Sequence, residues 1–143
     1  MEKFKGKEII VGRLPYGADL LDGISEICTK NNIQFGWLQG LGAVQKARIG
    51  FYDQVKKEYH FLDLPEPLEI TQLTGNISLK DGSPMVHAHA TLADSSGKAY
   101  GGHLAPGTIV FACEVKIEIL DGPALKRQFD QETGLALWQA VRG

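Results

Sequence analysis

Three of the chain's four histidines, His87, His89 and His103, fall on one short stretch, PMVHAHATLADSSGKAYGGHL. Imidazole nitrogens suit Zn²⁺ or another divalent transition metal, so three of them converging on a point make a metal site. Three neutral imidazoles leave a fourth position for water or substrate, the open arrangement of catalytic zinc rather than a closed structural site. An ion held there activates water or polarises a carbonyl. The blander reading of His-x-His on a strand is a solvated face or a hydrogen-bonded core pair. An Ala-rich apolar strand around His87 and His89, a Gly101-Gly102 pair just before His103, and no second histidine cluster favour the metal. No acid or base is fixed by the spacing. Glu69, Glu114 and Tyr100 are the candidates, and Arg13 is the candidate for orienting an anionic substrate, although an arginine after a strand is more commonly solvated.

The elements that must position the histidines are two strands of a hairpin. Val86, Ala88, Ala90 and Leu92 alternate with Met85, His87, His89 and Thr91, which is strand periodicity. Asp94-Ser95-Ser96-Gly97 supplies turn chemistry, and residues 98–104 return. His87 and His89 share a face because they are two apart. A three-residue loop, Ser95-Ser96-Gly97 with Gly97 left-handed, pairs Asp94 with Lys98 and sets His103 opposite His89. Directly opposed Cβ atoms lie roughly 5 Å apart and diagonal ones roughly 7 Å, close enough for convergence. A two- or four-residue loop turns His103 to the other face, so the site rests on one register.

At 143 residues the chain is expected to form one domain, residues 1–143, with a core that needs no disulfide. A formal net charge of −2 gives no pull toward nucleic acid or an anionic membrane. Met1 leads into charged EKFKGKE rather than an apolar leader, and no run is long enough to span a bilayer. Cys28 and Cys113 sit in apolar patterns and read as buried thiols, as expected of a cytoplasmic protein.

In chain order, residues 7–14 read as an opening strand. Asp19 begins a helix running to about Asn31, with Leu20, Leu21, Ile24, Ile27 and Cys28 at helical spacing. Residues 33–43 read as a buried strand ending in a tight turn, and residues 44–53 as a separate strand. Gly40-Leu41-Gly42 lacks the third glycine and following helix of a phosphate cradle, so close backbone packing is the better reading. Residues 59–62 continue the sheet. Residues 68–79 form a long strand, bent or bulged near Gly75, and Asp81-Gly82 turns it into the histidine hairpin. Residues 108–120 give the clearest strand, with Ile109, Phe111, Cys113, Val115, Ile117 and Ile119 on one face and Glu114, Lys116 and Glu118 on the other. Residues 125–129 add an edge strand. Leu135, Leu137 and Trp138 in the tail, residues 130–143, need a surface to cover. One helix among many strands indicates α+β with a mainly antiparallel multi-stranded sheet.

Arg13-Leu14 before Asp19-Leu20-Leu21, Gly40-Leu41-Gly42-Ala43, Gly75-Asn76-Ile77-Ser78, His87-Ala88-His89 and Gly101-Gly102-His103-Leu104 occur together in this order. With them the chain resembles the plant-and-prokaryote conserved (PPC) domain, formerly a domain of unknown function, in its stand-alone prokaryotic type. The resemblance covers residues 7–120, and Phe129-Asp130 and Glu132-Thr133-Gly134 look like the family's ending. It implies an α+β domain with one principal helix packed on the sheet, similar to the acetolactate decarboxylase fold, in which histidines hold zinc. It also implies a homotrimer, with a metal on the positions matching His87, His89 and His103. Plant members follow AT-hooks that grip DNA, and prokaryotic ones are often labelled DNA-binding by analogy. Here there is no Arg-Gly-Arg-Pro core, and Lys3, Lys5 and Lys7 make only a short basic arm, so nucleic-acid binding is not expected. The expected function is thus a trimeric metal-binding protein whose three-histidine divalent-metal site serves small-molecule binding or catalysis, its reaction unnamed. The alternative is a DNA-binding or protein-interaction regulatory module without enzymatic activity.

Overall fold

In the computed structural model, which describes residues 2–139, the helical period after Pro15-Tyr16-Gly17 becomes one helix, α1 (Leu20–Lys30). Asp19 caps it in an extended conformation, its Oδ1 accepting from the amides of Leu21 and Asp22 at 3.0 and 3.1 Å. Its Oδ2 accepts from the Gly107 amide at 2.6 Å, so one carboxylate starts the helix and anchors a distant loop. Leu20, Ile24 and Cys28 recur at every fourth position and are fully buried against the sheet.

The strands are β1 (Lys5–Leu14), β2 (Gly36–Asp53), β3 (Glu58–Leu64), β4 (Leu68–Lys80), β5 (Ser83–Ala93), β6 (Ala99–Leu104), β7 (Ile109–Asp121), β8 (Gln128–Phe129) and β9 (Ala136–Leu137). The first seven form one antiparallel sheet in the order β1-β7-β2-β4-β5-β6, with β3 also on β2. α+β is therefore the class.

β2 is one continuous strand, not two strands joined by a tight turn. Its register slips against β4 between Gly40 and Gly42, and against β7 on either side of Val44. Gly42 has φ +140°, and a Cβ there would sit 2.1 Å from the Ala112 carbonyl oxygen, so the backbone bends where no side chain fits. The bend gives β2 two sets of neighbours. Its first half lies between β7 and β4, and its second half pairs with β3 and, through Ile49–Leu104 and Gly50–His103, with β6. The circuit β2-β4-β5-β6 thereby closes.

Two further expectations shift. Gly75 is in regular register with Leu38 and Ala88; the bulge in β4 lies between Ile70 and Gln72. On β7, Cys113, Val115 and Ile117 are buried as expected, but the slip against β2 buries Val110 and leaves Phe111 58% exposed. The expected edge strand at residues 125–129 shrinks to β8, which pairs with β9, while Lys126 bridges Leu79 in parallel.

The core lies between α1 and the sheet, with Leu38, Leu73, Ile77, Leu92 and Ile117 among its fully buried members. Both cysteines are free and buried there, and burial pushes each thiol up to about 11. The tail covers its own chain: Trp138 meets the Phe35 ring edge-on at 6.1 Å. The part of the tail beyond Gln139 lies outside the described residues. No helix among the described residues is long and apolar enough to cross a membrane.

Candidate metal centre

The hairpin closes with the three-residue loop. Asp94 N–H donates to Lys98 O at 3.0 Å, Gly97 N–H donates to Asp94 O at 2.9 Å, and Gly97 has φ +82°. The Asp94 carboxylate pins the loop by accepting from the Ser96 and Lys98 amides at 2.8 and 3.0 Å and from the Ser96 hydroxyl at 2.6 Å. Counting outward from that turn, Ala93 opposes Ala99 and His89 opposes His103. Opposed residues of an antiparallel pair share a face, so all three histidines stand together while Val86, Ala88, Ala90 and Leu92 enter the core. Their ring centroids are 5.0–5.5 Å apart, and one nitrogen from each lies within 4.8 Å of the others.

The cluster lines a cavity of about 710 Å³. Tyr59 of β3 lies 4.9 Å from the His103 ring and Tyr52 of β2 lies 5.0 Å from Tyr59, both carried there by the second half of bent β2. Met85, Leu135 and Leu137 supply apolar wall, and Lys80, Arg127 and Glu132 its charges. The β8–β9 hairpin roofs the cavity, held by Tyr52 Oη donating to Thr133 O at 2.7 Å and Lys57 Nζ donating to Gln131 O at 2.8 Å.

A sequence profile described as the Plants and Prokaryotes Conserved (PCC) domain matches residues 1–121. The chain belongs to this family. Among solved structures, a metal-containing protein from Archaeoglobus fulgidus superposes with TM-score 0.91 at 45% identity, over 96% of this chain and 97% of that one. A plant- and prokaryote-conserved protein from Pyrococcus horikoshii gives 0.94 at 35% identity, over 99% and 98%. A Ralstonia eutropha JMP134 protein, provisionally named DNA-binding, gives 0.81 at 25% identity, over 92% and 90%. Bifunctional GlmU proteins from two Synechococcus strains match at 34% and 31% identity over 85% and 84% of this chain. The chain spans only 18% of the length of those curated relatives.

Of the other residues expected at this PCC site, none lines the cavity. Arg13 is exposed on β1 at the far edge of the sheet, opposite Glu114 of β7. Glu69 opposes Ala43 and Ala93, and the Tyr100 hydroxyl donates to Asp94 Oδ2 at 3.2 Å. The arginine at the cluster is Arg127. Its Nε donates to Ser78 Oγ at 2.9 Å, one terminal nitrogen to Ala136 O at 3.0 Å, and the other to Asn76 Oδ1 at 2.7 Å. The one signal for it in the sequence is a lone charge in the apolar alternation Leu125, Arg127, Phe129.

These surroundings favour the neutral form of the His87 and His103 imidazoles. Burial, then the neighbouring His103, Arg127 and His89, push His87 down to about 4. Burial and the charges of His89 and Arg127 also lower His103. Burial raises the Tyr59 phenol and lowers the Arg127 guanidinium. Neutral imidazole is the form that binds metal. The Nδ1 of His103 is buried with no hydrogen-bond partner among the described residues, a cost that an ion or ligand at the cluster would relieve. The donor set and this orphaned nitrogen both fit a bound cation.

Proposed function

We propose that this PCC protein holds one divalent transition-metal ion, Zn²⁺ in the first place, on His87, His89 and His103, and presents it to a small molecule in the roofed cavity. The observation that carries the reading is the convergence of three imidazole nitrogens within 4.8 Å on the wall of a cavity of about 710 Å³. The metal-containing Archaeoglobus fulgidus protein supports it. When bound, such an ion supplies Lewis-acid polarisation or an activated water. The chain's own residues do the rest: β5 and β6 orient the ligands, Tyr59 shields His103, and the tail hairpin limits solvent.

A homotrimer is part of the proposal. Ile9 and Val11 of β1 and Trp37 and Leu41 of β2 are 47–73% exposed on the sheet face that also carries Glu114, Lys116 and Glu118. Exposed apolar side chains grouped in this way favour burial against another copy. The two buried, unpaired thiols accord with a cytoplasmic setting.

Elemental analysis of protein purified without chelator is expected to find about one divalent ion per chain, lost in His89→Ala while the circular dichroism of the sheet persists. Retention of stoichiometric metal by that variant overturns the site. Light scattering that returns the monomer mass at every concentration overturns the trimer.

A further inference from the structure

We propose that the ligand of this cavity is a carboxylate on an apolar body, and that Arg127 is its anchor. The inference deepens the metal-site reading and rests on it for a second anchoring point. Arg127 is only 9% exposed, and among the described residues no carboxylate lies within ion-pairing distance of it. A buried cation without a counter-charge is costly, and neutral hydrogen bonds offset only part of that cost. Three of its five N–H donors are used, on Ser78, Ala136 and Asn76. One N–H on each terminal nitrogen is left for a further acceptor, and a guanidinium can grip a carboxylate through two such donors.

The position is fixed rather than incidental. Ser78 is fully buried, so the bond to it and the contact of the guanidinium 5.5 Å over the Trp138 ring hold Arg127 in one orientation at the cavity wall. The other fixed charges there are Lys80 and Glu132, which offset each other, leaving the excess positive before any metal is counted. Met85, Leu135, Leu137 and Tyr52 give the remainder of the wall an apolar character that suits a hydrocarbon or aromatic body better than bare phosphate.

The test compares benzoate with benzamide, which has the same shape and no charge, by nuclear magnetic resonance of ¹⁵N-arginine-labelled protein, zinc-loaded and metal-free. Benzoate is expected to shift the Arg127 Nε–H signal and to bind at least tenfold more tightly than benzamide. That preference should persist, weakened, in His89→Ala and fall about tenfold in Arg127→Gln. Arg127→Lys keeps charge without the fork, so it covers the case in which the glutamine variant does not fold; it should lose most of the preference. Equal binding of acid and amide, no shift with either, or a response to inorganic phosphate alone overturns the proposal. Protein that takes up no zinc yet prefers benzoate refutes the metal reading and leaves this one standing.

Discussion

Gly75→Ala probes how closely β4 and β5 must approach beneath the histidines. A Cβ on Gly75 would sit 2.5 Å from the His87 carbonyl oxygen, 2.8 Å from Ala88 Cβ and 2.9 Å from Ala88 Cα. These fall short of ordinary contact by roughly 0.5–0.9 Å. All three are backbone or Cβ atoms, so no flexible side chain can swing aside and the strands themselves must part, in a ladder whose usual spacing is about 4.8 Å. Overpacking costs about 1–3 kcal/mol, and a backbone shift places this case near the upper end. At about 3 kcal/mol the folding equilibrium falls on the order of a hundredfold, and the melting temperature by about 10 °C at this chain length. His87 and His89 flank Ala88, so metal affinity should fall with stability. Gly12→Ala is the control, because a Cβ there meets nothing within 4 Å. Urea unfolding of the two variants, with zinc titration of each, decides the matter. Equal midpoints for Gly75→Ala and Gly12→Ala would refute the reasoning.

In chelator-treated protein, burial holds His87 at about 4 and lowers His103, whereas the unfolded chain takes up protons near 6.5. Between those values the unfolded state binds more protons, so this stabilisation is full above about 6.5 and is lost as pH falls toward 4. The urea midpoint should therefore drop from pH 7 to pH 5, and less so in His87→Gln; an unchanged wild-type midpoint contradicts the burial argument. Asp19→Ala removes a cap and the Gly107 tie together, and denaturation should show a loss of about 1–2 kcal/mol. Fluorescence anisotropy with labelled duplex near physiological salt should find no tight, salt-sensitive complex, given a formal net charge of −2.

What the sequence determined by itself is local. Turn residues at Asp94 and Gly97 place the hairpin, and period-two counting from a three-residue loop brings His103 to His89; the structure's register selects that loop over a two- or four-residue one. α1 is local too, its cap and apolar period lying within a few turns of each other. Only the tertiary structure decided that β2 runs unbroken through Gly40–Gly42. The period-two pattern breaks there, and whether a break is a turn or a bulge depends on strands β4 and β7, far off in sequence. It likewise decided that Phe111 faces solvent, that Gly75 is a close approach and not a bulge, and that Arg127 rather than Arg13 stands at the cluster. Arg127 reaches Asn76 and Ser78 across 51 and 49 residues, and Tyr59 reaches His103 only because bent β2 carries β3 beside it. A residue's own neighbours in the chain exert no force that specifies such contacts; they are selected when burial of the whole sheet fixes which distant surfaces must meet.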